Sequence, residues 1–192
     1  MKAVFFVIII ILFSLKLESQ VLNTITDMRD GKRYKIVKIG NQTWMAENLA
    51  FKADNGCWSY NNDVSKVSKY GYLYNFSTAS TICPNGWHLP SDDEWNVLEE
   101  SFGLPLSMAN RSGYRGTQAS AIKSKLKILL GGCFENDGRF NQIESRAYFW
   151  SSTAQDSTCR WDRIFYFQGP VVCKGCSEEN WGLSVRCLKD KL

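Results

Sequence analysis

The spacing of apolar positions changes several times along this chain, and each change predicts an element. Val4–Leu15 is an apolar run broken only by Ser14, with Lys2 before it and the small residue Ser19 after it. That is the layout of a secretory signal over residues 1–19. The run is shorter than the roughly 20 residues a membrane helix needs, so no membrane span is expected once the signal is cleaved. Residues 20–25 read as a lead-in. Residues 26–49 read as a β-meander, with turns at Asp30-Gly31 and Gly40-Asn41 flanking Tyr34–Ile39 and Gln42–Ala46. Residues 52–69 are polar and rich in Asn and Ser, a long loop carrying Cys57.

Tyr70–Phe76 alternates like a strand, and Ser77–Ile82 suits a helical turn. In Cys83-Pro84-Asn85-Gly86-Trp87-His88-Leu89-Pro90-Ser91, a turn is followed by a step that Pro90 holds extended at Leu89. Ser91 stands three residues before Glu94, the spacing of a capping box. Asp92 and Asp93 fall where the helix dipole favours negative charge. Trp95, Leu98 and Phe102 follow at helical spacing, which predicts an amphipathic helix over 92–102. Residues 103–120 are loop-like, and Ala119–Lys127 reads either as a short helix or as an irregular basic segment. Strands are predicted on either side of Asn136-Asp137-Gly138, over Arg146–Thr153, over Trp161–Gln168 and over Gly182–Leu188, the last as one terminal strand. The pattern is α+β: loop-rich antiparallel sheets with one main helix.

Composition narrows the setting. The net charge is +4, and cleavage after Ser19 removes Lys2, Lys16 and Glu18, leaving +3. The basic residues are scattered rather than striped, so no nucleic-acid partner is expected. All seven cysteines (57, 83, 133, 159, 173, 176 and 187) lie in the exported part, where disulfides are favoured, and the odd number leaves at least one outside an internal pair. Cys173-Lys174-Gly175-Cys176 has CxxC spacing, but there is no second CxxC and His88 is the only histidine. The motif is read as a Gly-containing turn with structural disulfides, and no metal is expected.

Candidate chemistry competes with packing at every position that could carry it. A Ser-His-Asp or Cys-His site would have to use His88, which sits in a structural-looking turn. Asp92, Asp93, Glu94, Glu99 and Glu100 contain enough carboxylates for a glycosidase pair, but capping and solvation account for them. Asp54, Asp63 and Asn136-Asp137 could offer oxygens to calcium, but they lack EF-hand spacing, and turn chemistry suffices for Asn136-Asp137-Gly138. No catalytic residue and no cofactor are expected. Trp58, Tyr60, Trp161 and Trp181 lie among polar or loop-end residues and are the candidate ligand-binding positions, because exposed aromatics stack on sugars and anchor interfaces.

Longer motifs then align with a known family. Lys38–Leu49, Tyr70-Gly71-Tyr72-Leu73-Tyr74, Cys83–Ser91, Glu94-Trp95, Phe149–Thr153 and Ser184-Val185-Arg186-Cys187 resemble the Fibrobacter succinogenes major paralogous (FISUMP) domain over about 26–190. That family is found in secreted and surface proteins of bacteria. Within it, Ala79, Cys83, Gly86, Leu89 and Glu94 resemble the second-helix start of C-type-lectin-like domains. The resemblance implies that fold and a Cys83–Cys187 disulfide. It also implies that Cys57 lacks the partner usual in the family, since no cysteine precedes Tyr70 nearby. The calcium-dependent lectin signature is absent, and Asn180-Trp181-Gly182 does not replace it. The expected function is a secreted or cell-surface, non-catalytic binding module for an external glycan or protein ligand. The alternatives are a structural domain of the cell envelope and, after it, a hydrolase or cysteine-dependent oxidase.

Overall fold

A computed structural model describes residues 23–191, so the signal reading over 1–19 lies outside the described residues. In chain order, β1 (Thr24–Thr26), β2 (Arg33–Ile39) and β3 (Gln42–Met45) form the antiparallel meander. β4 (Cys57–Trp58), two 3-10 turns and α1 (Val67–Tyr70) occupy the region predicted as a loop. β5 (Leu73–Tyr74), α2 (Phe76–Ala79) and β6 (Trp87–His88) lead into the main helix, α3 (Asp92–Glu100). α4 (Leu106–Ala109), β7 (Gly113–Arg115) and α5 (Ala119–Leu126) follow. The rest is strand: β8 (Gly131–Phe134), β9 (Phe140–Ile143), β10 (Arg146–Ala154), β11 (Cys159–Tyr166), β12 (Val172–Glu178), β13 (Leu183–Ser184) and β14 (Leu188–Lys189).

These strands build two sheets. One runs β1-β2-β3-β14-β6, and the other runs β4-β5-β13-β10-β11-β12-β7 with the β8–β9 hairpin attached through β10. The molecule is therefore mixed α and β, mostly sheet with few helices, and carries two disulfides. Among the described residues no helix is long and apolar enough to cross a membrane.

β10 explains the layering. Its Ala147-Tyr148-Phe149-Trp150 run is buried on both faces, so it reads as continuously apolar rather than alternating. Ala147 and Phe149 join Trp44, Trp95, Leu98, Ile122 and Phe165 in one core, beneath α3 and α5. Tyr148 and Trp150 join Tyr34, Tyr74, Leu89, Leu183 and Cys187 in the other. The buried indoles are satisfied as they must be: Trp150 Nε1 donates to the Tyr74 carbonyl at 2.7 Å, and Trp95 Nε1 to the Trp150 carbonyl at 3.3 Å.

Three local readings change, and one left open resolves to a helix. The helix ends at Glu100, with Phe102 in the turn beyond it, packed against the core. The basic segment after 119 is a helix, closed at Lys127 in a left-handed conformation. The terminal run is not one strand: β13 belongs to the larger sheet and β14 to the smaller, and Val185–Cys187 cross between them. The CxxC segment lies inside β12, not in a turn. Gly175 is tolerated there because a Cβ on it would stand 2.5 Å from Asp162 Oδ1, so the side chain of the neighbouring strand fills its place.

Candidate functional site

The helix start holds the most titratable groups. Ser91 Oγ accepts from the Glu94 N–H at 3.2 Å and the Ser91 N–H donates to Glu94 Oε2 at 2.9 Å, closing the capping box. Glu94 also meets His88 Nε2 at 3.0 Å, and His88 Nδ1 meets Asp190 at 2.6 Å. Partial burial works against a charged imidazole, but the hydrogen bonds and charges of Asp190 and Glu94 outweigh it and raise the His88 pKa. Ser91 Oγ faces Glu94 at 3.0 Å rather than the imidazole, so serine and histidine are not arranged as nucleophile and base.

The acidic helix is not a solvated face. Asp92 and Glu99 are buried beneath it. Glu99 Oε1 accepts from Arg115 Nη2 and from Arg163 Nε, both at 2.6 Å. Asp92 Oδ1 lies 2.8 Å from Arg163 Nη1, and Asp92 Oδ2 accepts from Lys174 Nζ at 2.5 Å. Asn96 Oδ1 accepts from Arg163 Nη2 at 2.9 Å, and Arg115 also donates to the Ala109 carbonyl. The reading of these carboxylates as capping and solvated groups is therefore corrected for Asp92 and Glu99. Solvation would suit a free helix, whereas α3 lies on β11 and β12, whose inward side chains here are cationic.

The aromatic candidates divide. Trp58 stacks on Phe134 with centroids 4.4 Å apart, Phe140 lies 4.8 Å beyond, and Tyr60 tilts against Phe140 at 5.3 Å. Tyr60 is only 7 % exposed. Trp181 packs partly buried against the core, next to Gly182, where an added Cβ would stand 3.0 Å from the Trp58 ring. Trp58, Tyr60 and Trp181 are thus gathered in one region, largely as packing. Trp161 stands apart on β11, with Lys174 Nζ 4.4 Å from its ring centre. A surface aromatic pair went unnoticed in the sequence: exposed Tyr114 and half-buried Tyr166 lie 5.7 Å apart, Arg146 is 5.1 Å from the Tyr166 ring, and the next residue, Phe167, is exposed. Tyr114 falls in the segment read as loop, and only the β7–β12–β11 register brings it to Tyr166.

Cys83 is bonded to Cys187 and Cys159 to Cys176, while Cys57, Cys133 and Cys173 are free. Burial pushes all three free thiols up, Cys133 to about 12. They are therefore poor nucleophiles at neutral pH. Among the described residues no three His, Cys, Asp or Glu side chains converge as a metal-ligand set.

The concave feature of interest lies elsewhere. A cleft of about 460 Å³ opens between β2, the segment after β3, α1 and the end of α5. Its floor is Arg186, 1 % exposed. Arg186 Nε donates to Asn48 Oδ1 at 2.9 Å, and Nη1 donates to the carbonyls of Met45 and Leu126 at 3.2 and 2.6 Å. Asn48 Nδ2 in turn donates to the Tyr70 carbonyl at 2.8 Å, tying the α1 wall to the floor. Gly71 makes this wall possible: its φ is +75°, and a Cβ there would stand 2.5 Å from the Leu49 carbonyl. Lys32, Lys35, Lys69 and Lys127 line the cleft, and among the described residues Glu47 is its one acid, 3.9 Å from Lys35. Burial lowers the Arg186 pKa to about 9, with Glu47 acting weakly the other way. Sequence reading missed the site because its cations come from four separated segments. The only local signal was a lone Arg186 in an otherwise apolar terminal run.

Fold and site together define a sheet-rich, disulfide-stapled domain with a capping box on its main helix and a basic cleft. The chain belongs to the Fibrobacter succinogenes major domain family (Fib_succ_major), whose model matches residues 37–189. No curated protein and no solved structure matches it.

Proposed function

We propose that this chain is an exported, non-catalytic binding module that takes an external glycan or protein ligand in the cleft above Arg186. The observation that carries this reading is the cleft: a preformed hollow of about 460 Å³ whose floor and one wall are fixed by the Arg186–Asn48–Tyr70 hydrogen bonds. Sites of that size, rigid and with few polar groups on the floor, are where ligands bind. The alternative of an enzyme gains no support from the neighbourhood of His88, where the serine and the imidazole both face Glu94. Two disulfides, together with the signal-like leader, favour export to the cell surface or beyond. A staple joining the start of the main helix to the end of the chain also favours the C-type-lectin-like reading of the fold.

The test is binding of the mature, oxidised protein to a panel of glycans and surface proteins, with calcium and with chelator. Binding that survives chelator and is weakened by cleft variants supports the proposal. Binding weakened instead by Trp161→Ala or Trp181→Ala returns the ligand to the aromatic positions. A blank panel turns attention to an envelope role, for which the exposed Tyr114 and Phe167 are the first positions to vary.

A further inference from the structure

Among the described residues, Arg186 is the only fully buried arginine whose hydrogen-bond partners are all neutral. Arg115 and Arg163 are equally buried, and both hold Glu99. Arg186 instead has an amide oxygen and two backbone carbonyls, one of them at the end of α5, where the helix dipole favours a cation. Those partners occupy Nε and Nη1 without cancelling the charge, and Nη2 has no hydrogen-bond partner among the described residues. The surroundings add charge of the same sign: Lys32, Lys35, Lys69, Lys127 and Arg186 make five cations against Glu47, a local excess of four. Two rim groups are partly engaged, Lys35 with Glu47 and Lys69 with Glu144 at 3.7 Å. A second cleft of about 720 Å³ adjoins the first through Lys35, Ala46 and Lys127, and adds Lys38 and Lys125. Like charges gathered round low-dielectric walls raise the local concentration of opposite charge.

We infer that the cleft is an anion site that recognises carboxylate or sulfate groups along an acidic polysaccharide, with Arg186 beneath the leading group and Lys35, Lys69 and Lys127 around it. This deepens the reading of the domain as a binding module and rests on it. A polymer is favoured over a single small anion because the basic lining continues into the adjoining cleft. A sugar chain is favoured over an acidic peptide because the hollow also offers Val67 and Leu129, apolar surface against which a sugar ring can lie.

The experiment is calorimetric titration of the oxidised mature protein with polygalacturonate, with its methyl ester, with a sulfated polysaccharide, with poly-glutamate and with sodium sulfate. Acidic polysaccharide is expected to bind and to weaken steeply with added salt, and the methyl ester is expected not to bind. The triple variant Lys35→Ala, Lys69→Ala, Lys127→Ala changes exposed side chains and is expected to fold normally while losing affinity about tenfold or more. Arg186→Gln is expected to lose binding too, and thermal melts separate that loss from unfolding. Equal affinity for poly-glutamate overturns the choice of polysaccharide, and sulfate ion alone competing at equal strength overturns the polymer. Neutral glycan binding indifferent to the triple variant overturns the anion site while leaving a binding module standing. No binding to any of the five overturns the inference, and the binding-module reading falls only if the wider panel is also blank.

Discussion

Asp162 is the residue whose environment conflicts most with its charge. It is 1 % exposed, Oδ2 accepts from Ser177 Oγ at 2.6 Å, and Oδ1 has no hydrogen-bond partner. Burial pushes its carboxyl up to about 6, against the weaker opposing pulls of Ser177, Arg163 and the Gly175 backbone. A carboxyl raised in the folded state favours folding while it is protonated. That contribution is fully present below the ordinary carboxylate pKa near 4, and it is lost as pH rises through about 6. The loss amounts to about 3 kcal/mol, two pKa units at about 1.4 kcal/mol each. Asp162→Asn keeps the shape and the Ser177 bond and removes the ionisation. Its urea midpoint should exceed that of the parent at pH 7.5, with the gap closing as pH falls from 6 to 4. A variant no more stable than the parent at pH 7.5 would remove this account.

At the scale of elements, α3 is held by charge as much as by its apolar face. Trp95 and Leu98 enter the core beside β10, while Asp92, Asn96 and Glu99 lie over the cations of β7, β11 and β12. Removing one member of such a set leaves the rest buried and unpaired, which is the costly change. Glu99→Ala leaves Arg115 without a carboxylate and Arg163 with Asp92 alone, and should destabilise by about 3–5 kcal/mol. Glu100→Ala, one residue on and only partly buried, should change stability by about 0.5 kcal/mol or less. Chemical unfolding of both variants checks this, and equal effects would mean that the network is not what docks the helix. The start of α3 was legible in the sequence because a capping box is local: Ser91 and Glu94 need only each other. Its underside was not, because Arg115, Arg163 and Lys174 meet it only through the register of β7, β11 and β12. The same reason hid β12. Gly175 resembles a turn residue until the neighbouring Asp162 is seen to fill its space. The basic cleft was the least legible of all, since Arg186 reaches it only where the chain crosses between sheets.

That crossing gives the whole molecule its coupling. Val185–Cys187 leave β13 and enter β14, so the two sheets share a segment that Cys187 ties to Cys83, in the turn ahead of α3. The bond closes 104 residues, against 17 for Cys159–Cys176 on adjacent strands. Loop-closure entropy then assigns about 4–5 kcal/mol to the long closure and about 3 kcal/mol to the short one. The three free thiols do not endanger these pairs at neutral pH, because burial keeps each of them protonated and slow to exchange. The double variant Cys83→Ser, Cys187→Ser should therefore lose more stability than Cys159→Ser, Cys176→Ser. Its damage should also reach both sheets at once, since the staple sits at the place where they join. Hydrogen exchange would read this as faster exchange of β3 and β10 amides together. The reverse order of stabilities, or exchange confined to β14 and β6, would mean that the core on either side of β10, and not the staple, is what joins the two sheets.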